Sequence, residues 1–207
     1  MSAEEKHGIY KLEFSLHSWA LGPVDENFKN IDAMEWENGY TGKIFATIPY
    51  RPGDFEPKEL AEVADIVKLS EKSIAMCCSD KFVERVASNI FIQPHRNHKI
   101  ILLNRSKQQL SVYHVFDVKS ADRIPVLDYK HSQLDGTPAL DGKPQVFSLA
   151  YCKKLYIQPE RLPEYDLFLS EGHRWMATAK VLKLCKQHRI KGLKFDWIEA
   201  YKPDAKK

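Results

Sequence analysis

The chain is short of glycine, with nine in 207 residues, and none falls in a pattern that cradles a phosphate. There is no Gly-rich phosphate loop and no G-x-G-x-x-G after a strand, so the common nucleotide-binding enzymes are not indicated. G-x-S-x-G and H-E-x-x-H are missing too, which removes the nucleophile-elbow and helical zinc-protease templates. No apolar run approaches the ~18 residues that cross a bilayer. The opening MSAEEKHGIY is acidic and polar where a secretory signal is basic and then apolar, so a cytoplasmic location is expected. The four cysteines, Cys77, Cys78, Cys152 and Cys185, include no C-x-x-C spacing. The adjacent pair is poorly placed to bridge to itself, and all four read as free thiols of a reducing compartment.

What is present suits one core. A 24.0 kDa chain with 43% apolar and 29% charged residues is ordinary for a globular domain. The net charge of +3 conceals a split. Met1 to Val67 holds six Lys/Arg against thirteen Asp/Glu, a formal −7, whereas Lys68 to Lys207 holds twenty-five against fifteen, a formal +10. Such asymmetry can steer a charged partner to one face.

Turn residues such as Gly22-Pro23, Asn38-Gly39 and Pro52-Gly53 divide the first third, leaving Ile9 to Phe14 and Gly42 to Ile48 as strands. PKELAEVADIVKL, from Pro57 to Leu69, has apolar residues at helical spacing and reads as a short helix. In SIAMCCSDKFVERVASN a strand, Ile74 to Cys78, meets Ser79 as helix cap, then Phe82, Val83 and Val86 on one helical face. The pattern recurs ninety-nine residues later in RWMATAKVLKLCKQH, which aligns Ser79 with Thr178, Phe82 with Val181, Val83 with Leu182 and Val86 with Cys185. Duplication and two independent capped helices explain that match equally well. Between the two units FIQ and KIILLN read as a hairpin, followed by the strands QLSVYHVF and QVFSLAYCKKLYI. Asp135 to Pro144 reads as a loop, Gly192 as a helix stop, LKFDWIEAY as a closing strand and PDAKK as a frayed tail.

The densest chemistry is in HVFDVKSADRIPVLDYKHSQ, where His114, Asp117, Asp122, Asp128 and His131 are the groups a metal-assisted hydrolase would use. Strand alternation counts against that reading, because it puts His114 and Asp117 on opposite faces. Asp122 and Asp128 suit turn and cap roles. His95 and His98 sit three apart in a turn without nearby carboxylate or thiolate companions, and read as part of a solvated basic turn.

The same stretch carries a resemblance. The order YHVFDV, a turn, RIPVLDYKHSQ, a loop and a strand resembles the immunity-eleven family of bacterial immunity proteins. In that family a strand ending in an Asn- or Asp-containing turn is followed by a leucine, an aspartate, an aromatic or acidic residue and a nearby serine. Leu127, Asp128, Tyr129 and Ser132 stand in those places. LYIQPERLPEYDLFLSEGHRWMATAKVLKLCKQHRIKGLKFDWIEAY is similar to the family's C-terminal run, with Thr178 where the family often has serine. The likeness covers Ile74 to Tyr201.

It implies a stoichiometric neutraliser of a toxin encoded beside it, with no catalytic residue, metal or cofactor. The expectation is thus a single α+β domain over 1–207, with a mixed, mostly antiparallel sheet and a few packed helices. Residues 1–70 form its acidic, loop-rich part and 74–201 its family-like part. The chain is expected to be a monomer or weak homodimer that docks a toxin domain and no membrane. Asp25, Glu26, Asp32, Glu35 and Glu37 around Trp36 and Tyr40 combine a negative rim with aromatic anchors, which suits a basic toxin face. Two other readings remain. One is a hydrolase built on His114, Asp117, Asp128 and His131; the other is a nucleic-acid-binding module using the basic run KVLKLCKQHRIKGLK, whose charges are not expected on one clean helix face.

Overall fold

Ile9–Phe14 forms strand β1, with Ile9 and Leu12 buried on opposite faces, as befits a strand covered on both sides. The computed structural model describes residues 8–14, 22–24, 43–47, 64–68, 75–103, 108–134 and 152–200. Within them the class is α+β and the pairing is mixed and mostly antiparallel, but the strands divide into two large sheets rather than one. The first sheet contains β2 (Gly22–Val24), β3 (Ile44–Thr47), β4 (Ile66–Lys68), β5 (Met76–Ser79), β6 (Arg96–Leu103) and β7 (Gln109–Asp117), in the order β2-β3-β6-β7-β5-β4. A separate pair joins β8 (Gln133–Leu134) to β9 (Cys152–Lys154). The second large sheet adds β10 (Tyr156–Ile157), β11 (Leu167–Leu169), β12 (Trp175–Thr178) and β13 (Leu193–Ala200) to β1, in the order β10-β13-β1-β12-β11. Helix α1 (Asp80–Arg85) follows β5, and α2 (Ala179–Gln187) follows β12.

The two sheets repeat one design. Apart from β2, β3-β6-β7-β5-β4 matches β10-β13-β1-β12-β11: the first pair is parallel in each and the next three pairings are antiparallel. The registers superpose residue by residue. Ser79, Tyr113, Ile100 and Ile44 form one row across the first sheet, and Thr178, Ile9 and Ile198 form its counterpart. Chain order differs in one respect. The first half is continuous from β3 to β7, whereas the place of β7 in the second half is taken by β1, from the other end of the chain. The recurrence of Ser79-x-x-Phe82 in Thr178-x-x-Val181 is therefore part of a strand–helix arrangement that occurs twice, with the last strand of the second copy supplied by β1.

Both halves build a shared core. Ile66, Met76, Cys78 and Phe116 from the first sheet meet Leu12, Leu167, Trp175 and Ala177 from the second, with Phe82 and Val86 of α1 and Val181 and Cys185 of α2 packed among them. Each fully buried large apolar side chain contributes about 1.5–3 kcal/mol relative to exposure. The outer face of the first sheet buries Ile44, Ile100 and Tyr113, and that of the second buries Phe168, Met176 and Ile198. Cys77, Cys78 and Cys185 are free and buried. Among the described residues no helix is long and apolar enough to cross a membrane.

Several expectations change. Ile66–Lys68, the described end of the segment read as a helix from Pro57, is strand β4, because Ile66 and Val67 face different cores. FIQ does not pair with KIILLN: Ile92 bridges Leu167, and β6 lies between β3 and β7. The end of QVFSLAYCKKLYI is two short strands in different sheets. Gly192 does not stop α2, which ends four residues earlier at His188; Arg189 takes the left-handed conformation there, with φ 51°. Gly192, at φ +104°, instead lets the backbone pass Ile66, whose carbonyl oxygen would lie 2.2 Å from any added Cβ. The expected loop Asp135 to Pro144 and the PDAKK tail lie outside the described residues.

Candidate functional site

Two aspartates that attracted no notice in the sequence organise the joint between the halves. Asp65 precedes β4, and its carboxylate accepts from Ser79 Oγ (3.0 Å), Lys81 Nζ (3.1 Å) and the Lys191 amide (2.8 Å). Asp166 precedes β11 and accepts from Thr178 Oγ1 (2.9 Å), Lys180 Nζ (2.9 Å) and the Phe91 amide (3.0 Å). In each set the hydroxyl and lysine come from the same half, and the amide comes from the segment leaving the other half's helix. Burial disfavours the Asp166 carboxylate, but the Phe91 amide, Lys180 and Thr178 outweigh it and hold the carboxyl below its ordinary value. Ser79 also caps α1, accepting the Phe82 amide at 3.2 Å. Thr178 begins α2 without a side-chain cap bond, and its hydroxyl donates to Asp166. The signal for these aspartates was ADIV and YDLF, each an Asp before a short apolar run and about a dozen residues ahead of the capping hydroxyl.

The acids and imidazoles proposed for a hydrolase are distributed over separate partners. On β7 His114 Nε2 lies 2.8 Å from Asp80 Oδ1 at the start of α1, while Asp117, on the other face, pairs with Arg96 on the neighbouring strand. Asp128 holds its own turn: Oδ1 accepts the His131 amide at 3.2 Å, and Oδ2 lies 2.7 Å from His131 Nδ1. Burial opposes that carboxylate, and the His131 bonds more than compensate, lowering its pKa. The Asp122 carbonyl accepts from Gln93 Nε2. His95 Nδ1 lies 2.8 Å from the Gln93 carbonyl, and burial beside Arg96 lowers the pKa of His98. Among the described residues no group of three or more His, Cys, Asp or Glu could hold a metal ion.

A third polar cluster fastens the β11–β12 turn. Both oxygens of Glu171 accept backbone amides, from Val126 and Leu127 at 3.0 Å each, although burial pushes its carboxyl above the ordinary value. His173, at φ 59°, places Nε2 2.6 Å from Arg123 Nη1. Burial, Arg123 and Arg174 hold that imidazole below its ordinary pKa, which suits its role as acceptor.

Among the described residues two large apolar side chains are displayed to solvent, Phe91 at 56% and Trp197 at 61% exposure. Alternation along β13 puts Trp197 on the side of Leu193 and Phe195, which pack on the shared core, but beyond the core's margin. Lys180, Lys183 and Lys186 are exposed along α2 opposite buried Val181 and Cys185, so this part of the basic run does share a helix face. Asp25, Glu26, Asp32, Glu35, Trp36, Glu37 and Tyr40 lie outside the described residues. Compared with known proteins, the chain matches no family model and no curated protein.

Proposed function

We propose that the chain is a stoichiometric binding protein, a cytoplasmic bacterial immunity protein that neutralises a cognate toxin. The observation that carries this reading is where the reactive-looking groups are spent. Asp128 with His131, Asp117 with Arg96, and His114 with Asp80 brace three different places, and Asp65 and Asp166 join the halves. A rigid duplicated scaffold with side chains committed to its own structure supports recognition by surface, which depends on a preformed shape. The resemblance over Ile74 to Tyr201 supplies the specific role, and the toxin is the one whose gene adjoins this one.

Co-expression tests it. The chain and the toxin domain encoded beside it are expected to co-elute on size exclusion and to restore growth to cells making the toxin. Separate elution with no protection would refute the reading.

A further inference from the structure

The two halves hold the same rows of residues, so each shows which side chains the other's positions need for folding alone. Trp197 on β13 lies across from Tyr10 on β1. The equivalent pair in the first half is Lys99 on β6 and His114 on β7. Phe195 likewise stands where β6 has Asn97. Asn97 and Lys99 are exposed, as Trp197 is. The fold accepts polar side chains at all three places, and the rings of Trp197, Phe195 and Tyr10 call for another reason.

These rings share one face of the second sheet. Tyr10 and Phe195 meet edge to face, with centroids 6.3 Å apart. Alternation along β13 brings Glu199 to the side of Phe195 and Trp197. Tyr156 on β10 pairs with Glu199, so its ring is the diagonal neighbour of Trp197 on that face. Lys154, at the end of β9, reaches in beside them: Nζ lies 3.1 Å from Glu199 Oε2 and 5.0 Å from the centre of the Tyr156 ring. Gly8 continues the face one residue before β1. Its missing side chain leaves a notch beside Tyr10 and Ala179 of α2, whose carbons a Cβ there would touch at 3.4 and 3.6 Å.

Size and charge decide what such a face holds. It spans two strand spacings and four residues of β13, roughly 10 by 13 Å. That footprint is well below the ~800 Å² that each partner gives to a standard protein interface, and α2 borders it at Ala179. Within it Lys154 and Glu199 neutralise each other, so a polyanion such as nucleic acid gains no net attraction. A neutral, polyhydroxylated ring uses every part. Its C–H groups lie against the negative faces of Trp197 and Tyr156. Its hydroxyls find an acceptor in Glu199 and a donor in Lys154.

We propose that the face of β13, β1 and β10 around Trp197 is a binding site for a short neutral oligosaccharide. This goes beyond the neutralisation of a toxin and does not depend on it.

The test is a nuclear magnetic resonance titration of the full-length, isotope-labelled chain with maltotriose, cellotriose and N-acetylchitotriose. The indole resonance of Trp197 is identified by its loss in Trp197→Lys. At least one of the three sugars should shift that resonance saturably, together with the β13 amides, with a Kd on the order of 1 mM. Trp197→Lys should keep a melting temperature near wild type, because the fold already holds Lys99 at the equivalent position. Read from the β13 amides, it and Glu199→Ala should each weaken binding ~10-fold, whereas Lys99→Ala should leave it unchanged. No shift with any of the three sugars would overturn the site, as would an affinity that Trp197→Lys leaves intact. Shifts of the same resonances by an oligothymidylate, or by a toxin domain, and by no sugar would overturn it in favour of nucleic acid or a protein face.

Discussion

Asp65 and Asp166 are structural equivalents: each stands one residue before an edge strand, binds the hydroxyl that opens its own half's helix, and holds a backbone amide from the opposite half. Each clasp therefore works across the joint, and neither half is closed without the other.

Asp166→Asn keeps the side chain's shape but removes the charge that Lys180, Thr178 and the Phe91 amide stabilise. The loss should be on the order of 2 kcal/mol. The folded pKa of this group is depressed, so its stabilisation is present above the ordinary carboxylate value of ~3.9 and is lost as pH falls through the folded value. Chemical denaturation from pH 7 to pH 3 should show a shallower acid limb in Asp166→Asn than in wild type. Parallel curves would show that the carboxylate has no such linkage.

The place of β1 in the second half makes a circular permutant informative. Opening the chain between β1 and β2 and joining Lys207 to Met1 makes β13 and β1 consecutive, as β6 and β7 already are. Ile9 lies opposite Ile198, so the two strands that the junction connects are already paired. The permutant should fold cooperatively with a circular dichroism spectrum matching wild type. A molten or insoluble product would count against the equivalence of β1 and β7.

Gly192→Ala should cost at least ~1 kcal/mol, because alanine is strained at φ +104° and its Cβ would meet the Ile66 carbonyl. Urea denaturation would check this, and a neutral result would mean that the backbone there can move aside.

Phe82→Ala removes a fully buried ring from the core that both halves share, and should cost about 3–5 kcal/mol. A loss below ~1 kcal/mol would indicate that the site collapses around the missing ring.

Much of the local structure was legible in the sequence. Ile9 to Phe14 and the Ser79-capped helix follow from alternation, capping and helical spacing, which are properties of short segments. The clasps were not legible, because ADIV and YDLF mark only one end of each, and nothing local ties Asp65 to the Lys191 amide well over a hundred residues away. Ile66–Lys68 misled for the same reason: its apolar spacing is compatible with a helix, and only its position as an edge strand between two cores makes it extended. The repeat was read only from Ser79 and Thr178 with their following apolar residues; Asp65 with Asp166 and Lys81 with Lys180 also match in type, and elsewhere the halves share mainly register and burial. Trp197 continues the alternation of Leu193 and Phe195 along its strand, and its exposure follows from where the core ends.

Asp117→Asn and Asp128→Asn together separate bracing from catalysis. The double variant should neutralise the toxin as fully as wild type, with a stability loss of about 1–3 kcal/mol from weakened charged bonds. Wild-type stability and toxin affinity with neutralisation abolished would return these residues to a reaction centre.

The central claim is that the chain acts by occupancy. It is tested most directly by titrating the chain into a fixed amount of the adjacent toxin domain and measuring residual toxin activity. Binding predicts a linear fall that reaches zero at a one-to-one ratio and does not deepen with time. Complete loss of toxin activity at a small fraction of that ratio, progressing with incubation, would contradict the account and make the chain an enzyme.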